Sequence, residues 1–94
     1  MTITVKVYVL LETYDNGEPW EDHYYYHRQF AGVFPTEDAA KVRINELYDR
    51  TEQKSSPLKE KDGEYSWTAK TWSNYEEEYT YTIEEEGMKI EIES

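Results

Sequence analysis

The chain has 94 residues, and its 21 acidic and 10 basic side chains give a formal net charge of −11 at pH 7. This length excludes a second compact domain, and we expect residues 1–94 to form a single small domain. The charge argues against direct binding to nucleic acid or anionic lipid and favours a basic protein partner. The absence of cysteine excludes disulfides, thiolate metal sites and a cysteine nucleophile.

Two features favour a soluble, folded protein of the cytoplasm. No apolar run approaches the roughly 20 residues needed to span a bilayer, and the N-terminal stretch around Lys6 does not resemble a secretory signal. Leu, Ile, Val and Phe are scarce, but ten Tyr and three Trp can each bury roughly 150–250 Å². Because the apolar residues also follow clean periods, we predict a folded chain with an aromatic core.

Alternation of apolar and polar residues predicts a first strand over residues 2–12. Leu10 interrupts the alternation, which indicates that the second face is also partly covered near that end. A turn should follow at Asp15-Asn16-Gly17, because Asn and Gly accept the positive φ of tight turns. The face that we expect to be buried carries Ile3, Val5, Val7, Val9 and Leu11.

A second strand rich in Tyr and Phe is predicted over residues 22–33 and should pair antiparallel with the first. A helix should begin after Thr36, a good N-cap, with Glu37 and Asp38 opposing the positive end of its dipole. The helix should fade near Thr51. The stripe predicted to pack on the sheet consists of Ala40, Ile44, Leu47 and Tyr48.

The second half of the chain returns to period 2 after a polar loop over residues 53–62. We predict a strand from Gly63 to about Ser73, a turn at Ser73-Asn74, and two final strands over residues 79–84 and 88–93 joined by a hairpin at Gly87. The predicted fold is therefore α+β with the order ββαβββ, an antiparallel sheet of about five strands with one helix on one face.

The last 21 residues hold eight Glu against Lys89 alone. Carboxylates two residues apart on a strand project from one face at roughly 6.5–7 Å, a spacing comparable to that of successive phosphates. Solvated strand faces also tolerate Glu and use it to discourage aggregation. Glu91 and Glu93, which alternate with isoleucines, fit that simpler role. The residues expected to bind a basic partner are Glu76, Glu77, Glu78, Glu84, Glu85 and Glu86.

One helix cannot cover all the aromatic side chains, so some of them must be exposed. Trp67 shares its parity with Tyr65 and Ala69, and we expect it to be buried. An aromatic core with cross-strand tyrosine pairs would account for many of the others. Tyr and Trp are enriched at interface hot spots. The aromatic residues expected to bind the partner are Trp72, Tyr75, Tyr24 and Tyr26.

No catalytic, metal-binding or cofactor-binding residues are predicted. His23 and His27 would lie on one face of a strand but roughly 13 Å apart, too far to share one ion. Paired carboxylates are unavoidable in so acidic a chain, and neither a glycine-rich phosphate loop nor a nucleophile with a recognisable base occurs. We therefore do not expect an enzyme, although the sequence does not forbid a pocket for a small ligand.

The segment Gly32-Val33-Phe34-Pro35-Thr36-Glu37-Asp38-Ala39-Ala40 resembles a pattern frequent in small phage and mobile-element proteins of unknown function. The likeness covers about the first half of the chain, and Pro35 and the tyrosine-rich second strand depart from it. By size and composition the chain also resembles phage-encoded inhibitors of host defence, including anti-CRISPR proteins and DNA mimics. This resemblance implies action in the cytoplasm of a bacterial host and carries over no functional residue.

Two hypotheses of function follow. The first is an interaction protein, encoded by a phage, whose acidic C-terminal hairpin and exposed aromatic residues occupy a basic surface of a host nucleic-acid-binding protein. The alternative is a structural or assembly module that forms a homodimer through its open sheet face, with the acidic residues serving solubility.

Overall fold

The computed structural model describes residues 1–19, 24–71 and 75–92. Within these ranges, five antiparallel strands form one sheet in the order β2-β1-β5-β4-β3, and a single helix packs against it. This confirms the predicted α+β fold and its order ββαβββ. The elements are β1 (Thr2–Asp15), β2 (Tyr26–Phe34), α1 (Glu37–Arg50), β3 (Lys59–Lys61), β4 (Glu64–Lys70) and β5 (Glu76–Glu91).

The longest pairing joins β1 to β5, from Thr2 opposite Glu91 to Asp15 opposite Glu78, without a change of register. The predicted hairpin at Gly87 is therefore wrong, because Gly87 lies inside β5 opposite Lys6. A reversal there would leave the first residues of β1 without a partner on that side. Continuous pairing instead gives every second one of these residues, Ile3, Val5 and Val7, a hydrogen-bonded partner in β5.

Other predicted boundaries also shift. Residues 53–62, predicted as a loop, contain the short strand β3, which a two-residue turn at Asp62 and Gly63 connects to β4. The φ angles of these two residues are 52° and 81°, as two-residue hairpin turns require. β4 ends at Lys70 rather than near Ser73. The predicted turn at Ser73-Asn74 and the predicted start of β2 at Asp22 lie outside the described residues.

Gly17, the last residue of the predicted turn, has the positive φ that the sequence predicts, but the chain reverses later, between Asn16 and Tyr25, which still pair, and part of that segment lies outside the described residues. Gly17 has a φ of 69°, and its N–H donates to Oδ1 of Asp15 at 2.8 Å. A Cβ atom at this position would lie 1.8 Å from the carbonyl oxygen of Glu76. Glycine is therefore needed both for the turn and for its close approach to the start of β5.

The predicted helix is confirmed. Thr36 is the N-cap, and its Oγ1 accepts a hydrogen bond from the N–H of Ala39 at 3.1 Å. The side chains of Ala40 and Ile44 are fully buried against the sheet, and Leu47 and Tyr48 pack beside them as predicted. α1 ends at Arg50, one residue before Thr51, which serves as the C-cap.

The core is aromatic, as the composition predicts. Trp67 is only 2% exposed, which confirms its expected burial. Its ring stacks on those of Tyr79 and Tyr81 at centroid distances of 5.4 and 5.3 Å, and the ring of Tyr48 meets its edge at 5.5 Å. The indole N–H donates to Oγ1 of Thr51 at 3.1 Å, so the buried ring leaves no donor unsatisfied.

The two faces of β1 are reversed relative to the sequence prediction. Leu10, the residue that interrupts the alternation, is fully buried beneath α1, whereas Ile3 and Val5 are 38% and 39% exposed. The pairing explains the reversal, because it places Leu10 on the same face as Tyr81 and Trp67. That aromatic face offers the larger apolar area to the helix. We call it the covered face and the opposite side of the sheet the open face.

This reversal predicts unequal costs for two substitutions in β1. Leu10→Ala should lower the free energy of unfolding by about 2–5 kcal/mol, because it leaves a cavity in the core. Val5→Ala should lower it by less than about 1 kcal/mol, because Val5 is 39% exposed and its truncation leaves no enclosed cavity. Urea denaturation of both variants measures the difference, and equal losses would contradict the assignment of the faces.

Candidate functional site

The register assigns side chains to the open face, because paired residues in an antiparallel ladder project from the same side of the sheet. Among the described residues, no helix or strand packs across this face, since α1 lies on the other side. The open face carries Ile3, Val5, Val7, Val9 and Leu11 from β1, Tyr26, Arg28, Phe30 and Val33 from β2, and Glu78, Glu84, Glu86, Met88 and Ile90 from β5.

An aliphatic column runs along the centre of the open face. Val9 lies opposite Val33 of β2, and Leu11 lies opposite Phe30, whose ring is 62% exposed. Towards the chain termini, Ile3 and Val5 lie opposite Ile90 and Met88, and all four are exposed. The β1 residues of this column were predicted to be buried and not to form a binding surface, because strict alternation is also the pattern of a strand with one core-facing side.

A column of carboxylates on β5 borders the aliphatic column. Glu86 lies opposite Val7 and Glu84 opposite Val9. Nη2 of Arg28 lies 4.0 Å from Oε1 of Glu84 across this face, which agrees with the register. Glu78 and Glu76 lie on the same face at the other end of β5, separated from Glu84 by Thr80 and Thr82. The structure therefore brings four of the six predicted glutamates to one face.

The other two predicted glutamates belong to the opposite side. Oε2 of Glu77 accepts hydrogen bonds from the hydroxyl groups of Tyr14 and Tyr79 at 2.7 and 2.8 Å. Oε1 of Glu85 lies 3.3 Å from Nζ of Lys6. All six glutamates lie on one strand rather than on the predicted hairpin, so their side chains alternate between the two faces.

The predicted aromatic residues are also separated. Tyr26 begins β2 on the open face, opposite Asp15. Tyr24 precedes that strand, is exposed, and donates its hydroxyl hydrogen to Oδ2 of Asp15 at 3.0 Å. Tyr75 lies just before β5, is half-buried, and its N–H donates to Oγ1 of Thr71 at 3.1 Å. Trp72 lies outside the described residues.

On the covered face, a cleft of about 940 Å³ opens beyond the C-terminal end of α1. Some of its polar groups bond to one another or to a neighbour: Tyr81 donates to Glu12, which also accepts from Nε2 of Gln29, beside the cleft, at 3.1 Å. Hydrogen bonds among the polar groups stabilise such a half-buried network. The cleft is lined by residues of β1, β5 and the helix end, among them Glu12, Tyr14, Glu77, Tyr79, Tyr81, Arg50 and Lys70.

The network shifts the ionisation of its members. Burial and hydrogen bonds to carboxylates raise the pKa values of Tyr14, Tyr79 and Tyr81 well above 10. Burial alone would raise the pKa of Glu12, but the hydrogen bonds from Tyr81, His27 and Gln29 outweigh it and hold that pKa below its ordinary value. Neutral tyrosines and an ionised Glu12 are therefore the stable forms at neutral pH.

His27 belongs to this network rather than to a metal site. Its Nε2 lies 2.9 Å from Oε1 of Glu12, and its ring stacks on that of Tyr14 with the centroids 5.3 Å apart. Within the described ranges, no group of three or more potential ligands is placed to hold a metal ion. His23 lies outside those ranges, so the predicted separation of the two histidines stays a prediction.

The chain was compared with protein-family models, curated proteins and solved structures, and none of the three comparisons gave a match. Within the residues that the structure describes, the helix α1 is not long and apolar enough to cross a membrane.

The raised tyrosine pKa values predict a loss of stability in alkaline solution. In the unfolded chain these tyrosines ionise near pH 10, whereas in the folded protein they stay neutral to higher pH. Their contribution is therefore complete below about pH 10 and is lost as the pH rises further. Urea denaturation at increasing pH should show this decline.

The variant Tyr81→Phe tests the cause. It should lose about 1–3 kcal/mol at neutral pH, because Glu12 loses a donor, and its stability should depend less on alkaline pH. Tyr26→Phe, which alters an exposed ring on the open face, is the control and should behave like the wild type. An identical alkaline decline in all three proteins would contradict the assignment.

Proposed function

We propose that this protein is a non-enzymatic interaction protein that binds a basic protein through the open face of its sheet. The observation that carries the proposal is the aliphatic column lying directly beside the column of carboxylates, with Val7 opposite Glu86 and Val9 opposite Glu84. Exposed apolar surface rimmed by charge is typical of protein interaction sites.

The two columns would contribute differently to binding. The net charge of −11 and the carboxylates would attract a positively charged partner over a distance and increase the association rate. The aliphatic column would exclude water from the bound interface, with the ring of Phe30 as its largest exposed anchor. The expected partner is therefore a protein whose basic surface surrounds an apolar patch.

The resemblance to phage-encoded inhibitors of host defence makes the partner more specific. Glu84 and Glu86 lie two residues apart on one face of β5, at roughly 6.5–7 Å, which is comparable to the spacing of phosphates along a nucleic-acid strand. We therefore propose a host nucleic-acid-binding protein as the target, inhibited in the bacterial cytoplasm by occupation of its basic groove and not by chemistry.

A homodimer through the same open face is the second candidate, and the exposure of Phe30 and Val33 favours it. Two sheets that stack face to face lie about 10 Å apart. That arrangement would bring the carboxylate columns of two copies, each copy with a net charge of −11, into the same interface. Because like charges oppose such stacking, we rank the basic partner first.

The test captures partners from nuclease-treated bacterial lysate with three tagged proteins at low and high salt, and identifies them by mass spectrometry. The three are the wild type, Glu84→Gln with Glu86→Gln, and the matched control Glu85→Gln with Glu91→Gln. The control also removes two negative charges from β5, but from side chains on the covered face. A basic nucleic-acid-binding protein should be retained by the wild type and the control, and should be reduced several-fold with the first variant.

The captured protein then allows kinetic measurements. The weaker binding of Glu84→Gln with Glu86→Gln should result mainly from a lower association rate, and its difference from the wild type should shrink at high salt. Phe30→Ala should mainly increase the dissociation rate. Equal binding by all variants would refute the role of the open face. Recovery of the bait alone, with a mass that rises with concentration and falls in Phe30→Ala, would favour the face-to-face homodimer.

A further inference from the structure

Two strands of the sheet extend beyond their neighbours. β2 pairs with β1 only from Tyr8 onwards, and β4 pairs with β5 only up to Thr82. Among the described residues, 2–7 and 86–91 therefore pair only with each other. We call them the ribbon, and they contribute to the 59 Å length of the molecule. A two-stranded ribbon is marginally stable by itself in water.

The backbone groups on the β1 side of the ribbon can be assigned. Met1 and Ile92 exchange both N–H to O hydrogen bonds, at 2.9 and 2.7 Å. Bonded pairs recur at every second residue of an antiparallel ladder, so Ile3, Val5 and Val7 bond to β5. The N–H and C=O groups of Thr2, Thr4 and Lys6 then point away from it. At the other end of β1, Asn16 likewise bonds outwards, to Tyr25 of the β2 side.

This edge lacks the features that normally prevent strands from pairing between molecules. Residues 2–7 contain neither proline nor an acidic residue, five of the six are β-branched, and Lys6 is the single charge. Long, regular edges of this kind readily accept another strand. The other edge of the ribbon belongs to β5, where Glu86 and Glu91 outnumber Lys89, and this net negative charge disfavours pairing with the same edge of another copy.

We propose that the β1 edge of the ribbon pairs antiparallel with the same edge of a second copy, which joins two sheets into one. Pairing about a two-fold axis at Thr4 places Thr2 opposite Lys6 of the second copy and Ile3 opposite its Val5. All three outward residues of each copy are then bonded, and their side chains keep the alternation of the sheet. The outward N–H and C=O groups of one copy are the complement of those of the other.

The charges favour this contact over face-to-face stacking. Neither joined strand carries a carboxylate in residues 2–7. The two copies of β5 are separated by three strand spacings, about 14 Å, which exceeds the screening length of about 8 Å at physiological salt. Because the two-fold axis is perpendicular to the sheet, both open faces lie on the same side. The dimer therefore leaves both open faces accessible to a partner, and edge pairing does not depend on the proposed function.

The experiment compares the wild type with Thr4→Pro by sedimentation equilibrium from micromolar to near-millimolar concentration. Proline at residue 4 removes an outward N–H and leaves the bonds to β5 intact. The matched control is Gly87→Pro, which removes an outward N–H on the β5 edge, also without a change of charge. The wild type and the control should approach twice the 11.3 kDa mass of one chain. Thr4→Pro should associate about tenfold or more weakly.

Amide hydrogen exchange gives a second measurement that does not depend on a variant. The amides of Thr2, Thr4 and Lys6 should become protected in the wild type as its concentration rises, while those of Ile3 and Val5 should be protected throughout. A monomer at the highest concentration would overturn the proposal. So would a dimer that Thr4→Pro leaves unchanged, and in that case the open face, tested with Phe30→Ala, would be the contact.

Discussion

The uninterrupted pairing of β1 with β5 is the constraint on which the rest of the structure depends. It brings the two ends of the described chain together, with Thr2 opposite Glu91, and it joins the β2 side of the sheet to the β4 side. It also places Leu10 beside Ile83 and Glu12 beside Tyr81. These cross-strand pairs decide on which face of the sheet apolar side chains accumulate, and the helix packs on that face.

The surfaces with functional potential arise because the elements differ in length. The 14 residues of α1 span about 21 Å, whereas the 14 residues of β1 span about 47 Å. The helix therefore covers the aromatic core and leaves the tyrosine and glutamate network at the edge of a cleft. The ribbon lies beyond the short strands, and the whole open face stays uncovered by the described elements.

Three environments of acidic residues in the described part of the chain bear on function. Glu12 and Glu77 accept hydrogen bonds from tyrosines on the covered face, and for Glu12 such bonds help to hold the pKa below its ordinary value. Glu85 pairs with Lys6 at the surface, an arrangement of small energetic value. Glu84 and Glu86 border an aliphatic column on the open face. Only this last arrangement combines charge with exposed apolar area, which is why the proposed function depends on it.

The sequence by itself determined the local structure: the N-cap at Thr36, the helix stripe, the positive φ at Gly17, the aromatic core around Trp67 and the α+β class. These follow from short-range spacing and backbone preference. Only the tertiary structure decided which face of β1 is buried, whether the chain reverses at Gly87, and which glutamates share a surface. Alternation shows that a strand has two unlike faces, but the helix packs on the face with more apolar area, and that depends on Tyr65, Trp67 and Tyr81 from distant strands. Likewise, Gly87 continues a strand because β1 offers it a partner from the other end of the chain.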